Sequence, residues 1–338
     1  MFRASTIIQD SRVLTNNLKS FSFFPVSVGS KVLLTTGIGQ SEIIDVADPS
    51  FQCPNIQQFP FELKDATGGF VEQTVLVCGG RQSNQESNEC YTLNQNGDWE
   101  GDQSAALQTP RYDAATGSVV INDQLVIIGG YGSSGKLSTI ELIKPKSEAK
   151  VLEEVELPHG LRSACAVAWN SSTIFVVGGW STDDFDPFFE ITTPNNRTYF
   201  IDVNNGRYVP GPSLRHGRKG HACQTMTVQG KEYVIVTGGF ANGRDEQSTE
   251  ILEKSNEGKE WTVSNSQLPG GNKHHQMVAS PDGHSVYAIN QINKNIYRYS
   301  CRTHINTCSW TKSQTQLKYE HDNAIAIPIP DALAYQMC

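Results

Sequence analysis

The chain has 338 residues, eight of them cysteine, and a formal net charge of −8. With no dense run of Lys and Arg, that charge excludes a general nucleic-acid binder, which needs a basic surface to displace phosphate counterions. Glycine is plentiful (29 residues) and charged residues make up only 18%, a balance that favours turn-rich β structure over long charged helices.

The first 20 residues (MFRASTIIQDSRVLTNNLKS) lack the apolar core of a signal peptide. They are read as a lead segment ahead of a single domain over residues 21–338. No stretch reaches the ~18 apolar residues of a membrane-spanning helix. A first strand is expected at residues 21–28, followed by an apolar run at residues 31–39 (KVLLTTGIG). Then a pattern repeats: a β-branched and apolar run ending in Gly-Gly, at residues 74–80 (TVLVCGG), 124–130 (QLVIIGG), 173–179 (TIFVVGG) and 233–239 (YVIVTGG). The intervals are 50, 49 and 60 residues, and a degenerate copy (SVYAIN) follows at residues 285–290. Runs that are apolar on both faces suit buried central strands. Glycines at their ends suit a close backbone approach.

Around each Gly-Gly the same parts recur. Upstream comes a strand of small and apolar residues opened by a basic residue: Arg111, Arg162 or Arg218. Downstream come a polar loop, a third strand, and a fourth segment carrying an aromatic: Trp99, Tyr208, Trp261 or Trp310. Four strands per ~50 residues, repeated about six times, predict an all-β propeller, because only a closed ring buries the face of every unit. Residues 321–330 (HDNAIAIPIP) read as one further strand, which would join the blade opened by residues 21–28. The two chain ends would then share a sheet, with Pro328 and Pro330 at an edge position.

The double glycine, the later Tyr or Trp and the Arg before the next inner strand resemble the kelch repeat, over roughly residues 21–338. The resemblance implies a six-bladed kelch-type β-propeller with four antiparallel strands per blade. The first and last units lack the double glycine, and the third lacks the outer aromatic.

The cysteines admit two readings. Cys301 and Cys308 bracket a tight hairpin whose disulfide would add on the order of 2–3 kcal/mol. Cys78 and Cys90 end and begin neighbouring strands, and Cys53 and Cys338 would tie the chain ends. Cys165 and Cys223, in inner strands of different blades, are read as separate buried thiols. The alternative is eight free thiols. A zinc site is not expected, since the closest pair is spaced C-x₆-C. Cys78-Gly79-Gly80 and Cys90-Tyr91 are similar to secreted invertebrate kelch proteins, which supports the oxidised reading and an extracellular or secretory-lumen setting. The sequons at Asn170 and Asn196 would accept glycans there.

Function is expected on the face bearing the loops after each Gly-Gly, where kelch adaptors bind partners. Arg111, Arg162 and Arg218 would make a partly basic funnel for an acidic peptide or glycan. Their repetition equally suits a structural role, bonding carbonyls of a neighbouring blade. The long loop at residues 180–197 adds Trp180, Phe185 and Phe188 as contacts; its aspartates do not match a calcium loop. His221 and His274, with His275 and His321, are read as hydrogen-bonded funnel residues and not as a metal site. Galactose-oxidase-like, specifier and sialic-acid-epimerase members of the fold are enzymes, but none of their residue sets is matched here. The expectation is a monomeric, non-catalytic protein- or glycan-binding platform with no cofactor and no nucleic-acid partner. An intracellular adaptor, or a kelch-fold oxidase or epimerase, is the alternative.

Overall fold

A computed structural model describes residues 29–338, apart from residues 95, 182–193, 242, 256–259 and 271–273. The expected strand at residues 21–28 therefore lies outside the described residues. The chain folds into six antiparallel sheets arranged as a six-bladed β-propeller. From the axis outward, blade 1 contains Thr67–Val71, Thr74–Cys78, Glu89–Leu93 and Trp99–Ala106. Blade 2 contains Val120–Ile121, Gln124–Ile128, Thr139–Ile143 and Lys150–Glu156. Blade 3 contains Cys165–Ala168, Thr173–Val177, Thr198–Asp202 and Arg207–Pro210. Blade 4 contains Ala222–Val228, Lys231–Thr237, Thr249–Glu253 and Thr262–Val263. Blade 5 contains Gln276–Ala279, Ser285–Ile289, Asn295–Cys301 and Cys308–Gln316.

Blade 6 closes the ring from both chain ends. Ala324–Ile329 pairs with Lys31–Thr36, from Thr36 opposite Ala324 to Lys31 opposite Ile329, and Glu42–Asp45 adds a third described strand. Pro328 lies on the innermost strand, which has a neighbour on one side only, so its missing N–H costs no ladder bond.

The core consists of six separate apolar layers, one in each wedge between successive blades. Each second strand feeds two of them by simple alternation. In blade 1, Val75 and Val77 face blade 6 while Leu76 and Cys78 face blade 2. Both faces are buried, which is why these runs show no polar alternation. Tryptophans also tie blades together. Trp261 is fully buried, stacks against Phe175 of blade 3 and donates Nε1–H to the Pro212 carbonyl at 2.7 Å. Trp310 donates to Thr249 Oγ1 of blade 4 at 2.8 Å.

The Gly-Gly pairs allow each blade to pass beneath the loop entering the next. Gly129 has φ 61°, and a Cβ there would lie 2.2 Å from the Leu161 carbonyl oxygen. The following glycine donates its N–H to that same carbonyl at 2.8 Å, as Gly80 does to Arg111 and Gly179 to Arg218. The Arg-led segments expected as the starts of inner strands are these entry loops instead. The inner strands begin several residues later, at Val120, Cys165 and Ala222, because a left-handed residue interrupts each segment.

Four disulfides form: Cys53–Cys338, Cys78–Cys90, Cys165–Cys223 and Cys301–Cys308. The pairing of Cys165 with Cys223 corrects their reading as separate thiols. Innermost strands converge on the axis, which brings the two Cα atoms to 5.9 Å, within disulfide reach. A short C-terminal helix, Asp331–Met337, was not foreseen; it delivers Cys338 to Cys53. Beside it, Lys31 is buried in a 2.7 Å ion pair with Asp45 and lies 4.8 Å from the Phe51 ring and 5.0 Å from the Tyr335 ring.

Two outcomes follow for this closing region. Cys53–Cys338 spans 285 residues and Cys301–Cys308 only 7. Chain entropy predicts losses of roughly 5 kcal/mol for Cys53→Ser and roughly 2 kcal/mol for Cys301→Ser. Denaturant unfolding reads the difference, and equal losses would exclude this account. Burial raises the Asp45 pKa, but hydrogen bonds from Lys31 and from the N–H groups of Ala47 and Asp48 outweigh it and hold the carboxyl below its usual range. A depressed native pKa stabilises above the unfolded value of about 3.9 and is lost as pH falls through the native value. Asp45→Asn should therefore cost about 1–3 kcal/mol at pH 7. The gap to wild type should close on acidification below pH ~4; a constant gap across that range would contradict the linkage.

Candidate functional site

Six structurally equivalent residues, one per blade, surround the axis at the mouth of the channel: Asp65, Asp113, Ser163, Gly220, His274 and Asn323. Their φ values lie between 52° and 60°. Each follows by six positions an apolar residue (Phe59, Leu107, Leu157, Leu214, Leu268 or Leu317). The N–H of Asp113 donates to Asp65 O at 3.0 Å, Ser163 to Asp113 at 3.0 Å, Gly220 to Ser163 at 2.8 Å and His274 to Gly220 at 2.7 Å. Asp65 in turn donates to Asn323 O at 3.2 Å. These bonds run circumferentially and fix the spacing of the blades at the axis.

Just outside this ring, the residue before each ring position bridges the residue after Gly-Gly: Lys64 to Arg81, Tyr112 to Tyr131, Arg162 to Trp180 and Lys219 to Phe240. Their side chains alternate as cations and aromatic rings. Arg81 lies 5.0 Å from the Tyr112 ring, and Arg162 lies 4.9 Å from Tyr131 and 4.3 Å from Trp180. Lys219 lies 3.7 Å from Trp180. Such contacts pin long flexible side chains and keep their charge available. The ring and this belt enclose a cavity of about 420 Å³.

The floor is acidic. Asp65 pairs with Arg81 at 3.4 Å; Asp113 accepts from Ser163 Oγ at 2.5 Å and lies 3.8 Å from Arg162 Nε. Burial, and then the charge of Asp113, push the Asp65 carboxyl up to about 7. Burial also raises Asp113, against the Ser163 hydrogen bond and the nearby His274, Arg162 and Lys219. Asp65, Asp113 and His274 each offer a ligand atom, all within 4.8 Å of one another.

Of the residues singled out in the sequence, Arg162, Trp180 and His274 meet at this cavity. Arg111 and Arg218 do not; they are 1% and 0% exposed. Arg111 is bound by Glu141 and the Gly129 and Thr139 carbonyls, and Arg218 by Glu250, Gly238 and Ser248. The same glutamates accept backbone N–H groups of the entry loop, Gln108 and Thr109 on Glu141, and Arg215 and His216 on Glu250. His321 and Glu42 repeat this clip between blades 5 and 6 at 2.8 Å. The two arginines are thus structural. His221 is fully buried, and burial, then Arg218 and His275, drive its pKa well below the usual value, so it stays neutral and away from the cavity lining. Phe185 and Phe188 lie outside the described residues. Asn170 is exposed on a hairpin, whereas the Asn196 amide donates to the Leu214 carbonyl at 3.2 Å.

Sequence reading missed Asp65, Asp113, Ser163, Lys219 and Arg81. The signal that locates the first three is the fixed six-residue step from the apolar anchor.

No family model and no curated protein matches the chain. Among solved structures, one titled "Structure of YjhT" is similar with a TM-score of 0.64 at 13% identity, covering 85% of this chain and 98% of that one. The similarity shows the fold: the chain is a six-bladed β-propeller.

Proposed function

We propose that this is a kelch-type propeller acting as a non-catalytic binding platform, which takes an acidic group of a protein or glycan partner into the channel mouth. One observation carries the reading. Two buried donors at the mouth, Arg162 Nε and Trp180 Nε1, have no hydrogen-bond partner among the described residues. Arg162 Nε sits 3.8 Å from Asp113, too far to be satisfied by it. A buried unpaired donor costs about 1–3 kcal/mol, so a site that keeps two of them side by side suits a ligand that supplies acceptors. A carboxylate or sulfate is the kind of group that supplies such acceptors, and Lys219, 3.7 Å from the Trp180 ring centroid, adds positive charge nearby. Four disulfides, among them all eight cysteines of the chain, favour an oxidising extracellular or lumenal setting. In that setting Asn170 is the better placed glycan acceptor, since Asn196 already spends its amide on a backbone carbonyl.

The test is a binding screen of immobilised acidic and neutral peptides and glycans, followed by titration calorimetry on each hit. Arg162→Ala and Trp180→Ala should each weaken capture of acidic ligands at least tenfold, with folding checked by circular dichroism. Equal capture of neutral and acidic ligands, or unchanged affinity in both variants, would remove the mouth as the binding site.

A further inference from the structure

We infer that Asp65, Asp113 and His274 form a site for one divalent transition-metal ion of the zinc type on the floor of the channel mouth. Of the four histidines read as funnel residues, His221, His275 and His321 are 0–2% exposed and do not line the cavity. The group that does converge is His274 with two carboxylates from other blades, each at a left-handed ring position. These ring positions are joined by backbone hydrogen bonds, so the backbone holds the three residues around one point before any ion arrives.

The chemistry of the donor set selects the ion. Two carboxylate oxygens and one imidazole suit Zn²⁺ and its neighbours. A hard cation such as Ca²⁺ takes six to eight oxygen ligands and gains little from imidazole. A tetrahedral site with bonds of about 2.0–2.2 Å sets ligand atoms ~3.3 Å apart. The present 4.8 Å limit requires the side chains to draw in by about an ångström or more.

The flanking cations do not saturate the carboxylates. Arg81 approaches Asp65 at 3.4 Å and Arg162 approaches Asp113 at 3.8 Å. The structural Arg218–Glu250 pair closes to 2.7 Å. In both floor pairs the contact uses Oδ2, so one oxygen of each aspartate stays outside its ion pair. Ser163, bonded to Asp113 Oδ2 at 2.5 Å, would orient that ligand as outer hydrogen bonds commonly do. Two side chains that are 10% and 13% exposed bring negative charge together, which a divalent ion relieves. The cavity above leaves a coordination position open to water or to a ligand atom.

The experiment is calorimetric titration of the EDTA-treated, dialysed full chain with ZnCl₂ at pH 7.5, and with CaCl₂ in parallel. One Zn²⁺ per chain is expected, with no Ca²⁺ binding at the same concentrations. His274→Ala and Asp113→Asn should each weaken Zn²⁺ at least tenfold while retaining the wild-type far-ultraviolet spectrum, and Asp65→Asn serves if either fails to fold. Absence of stoichiometric Zn²⁺ binding, or unchanged affinity in the folded variants, which would assign the ion to surface histidines, overturns the site. Capture of acidic ligands measured in EDTA is a separate observation, so the two readings can fail independently.

Discussion

A chain of five backbone hydrogen bonds, joining six residues around the axis, governs this molecule. Each link requires a residue at positive φ, whose N–H points to the carbonyl of its counterpart in the preceding blade. For Asp and Asn that conformation costs little, and for Gly nothing. For Ser163 and His274 it costs more and must be held by the surrounding structure. Once this chain of bonds is set, the consequences run outward. The inner strands start beyond it, two residues on in four of the blades, the Gly-Gly turn fits beneath the next entry loop, and the wedge between blades closes over its apolar layer. The buried Arg–Glu clips belong to the same system. Glu141 and Glu250 accept entry-loop N–H groups, and Arg111 and Arg218 neutralise them while satisfying carbonyls at the end of the second strand.

Much of this architecture is legible in the chain because burial on both faces leaves a direct trace. Val75 to Cys78 and Ile174 to Val177 are apolar without interruption, and their spacing counts the blades. The closing strand was legible for the same reason, although its described partner is Lys31–Thr36. The ring was not legible. Its six members are Asp, Asp, Ser, Gly, His and Asn, which share neither charge nor size; only backbone conformation unites them, and that is imposed by closure. The Arg signal was ambiguous at a single step. Arg111 and Arg162 look alike in sequence, yet Arg111 occupies the fourth position after its leucine and Arg162 the fifth. One residue at this turn separates a buried clip from a cavity wall. Cys165 and Cys223 were misread because sequence separation says nothing about convergence at an axis.

Burial and charge then divide the labour. The chain carries eight excess negative charges, but its mouth gathers Arg81, Arg162 and Lys219 above two carboxylates. Aromatic faces hold Arg162 in place without occupying its Nε, which a close carboxylate partner would do. This is the physical difference between the two kinds of arginine here. Arg218 is spent on Glu250 and two carbonyls, and adds cohesion. Arg162 stacks on Trp180 and Tyr131 and keeps a donor in reserve.

The same distinction bears on the binding role proposed for the mouth. A ligand of the proposed kind would pair with groups that are already ordered, so little conformational entropy would remain to be lost on binding. The order comes from elsewhere: from the hydrogen-bonded chain around the axis, from Cys165–Cys223 bridging two inner strands next to it, and from a closing sheet secured by Lys31–Asp45 and Cys53–Cys338. Stability at the rim of the propeller and readiness at its axis are therefore one design. Loosening the closing blade should be felt at the mouth, because Asn323, which accepts the bond from Asp65, lies one residue before the strand that closes the ring.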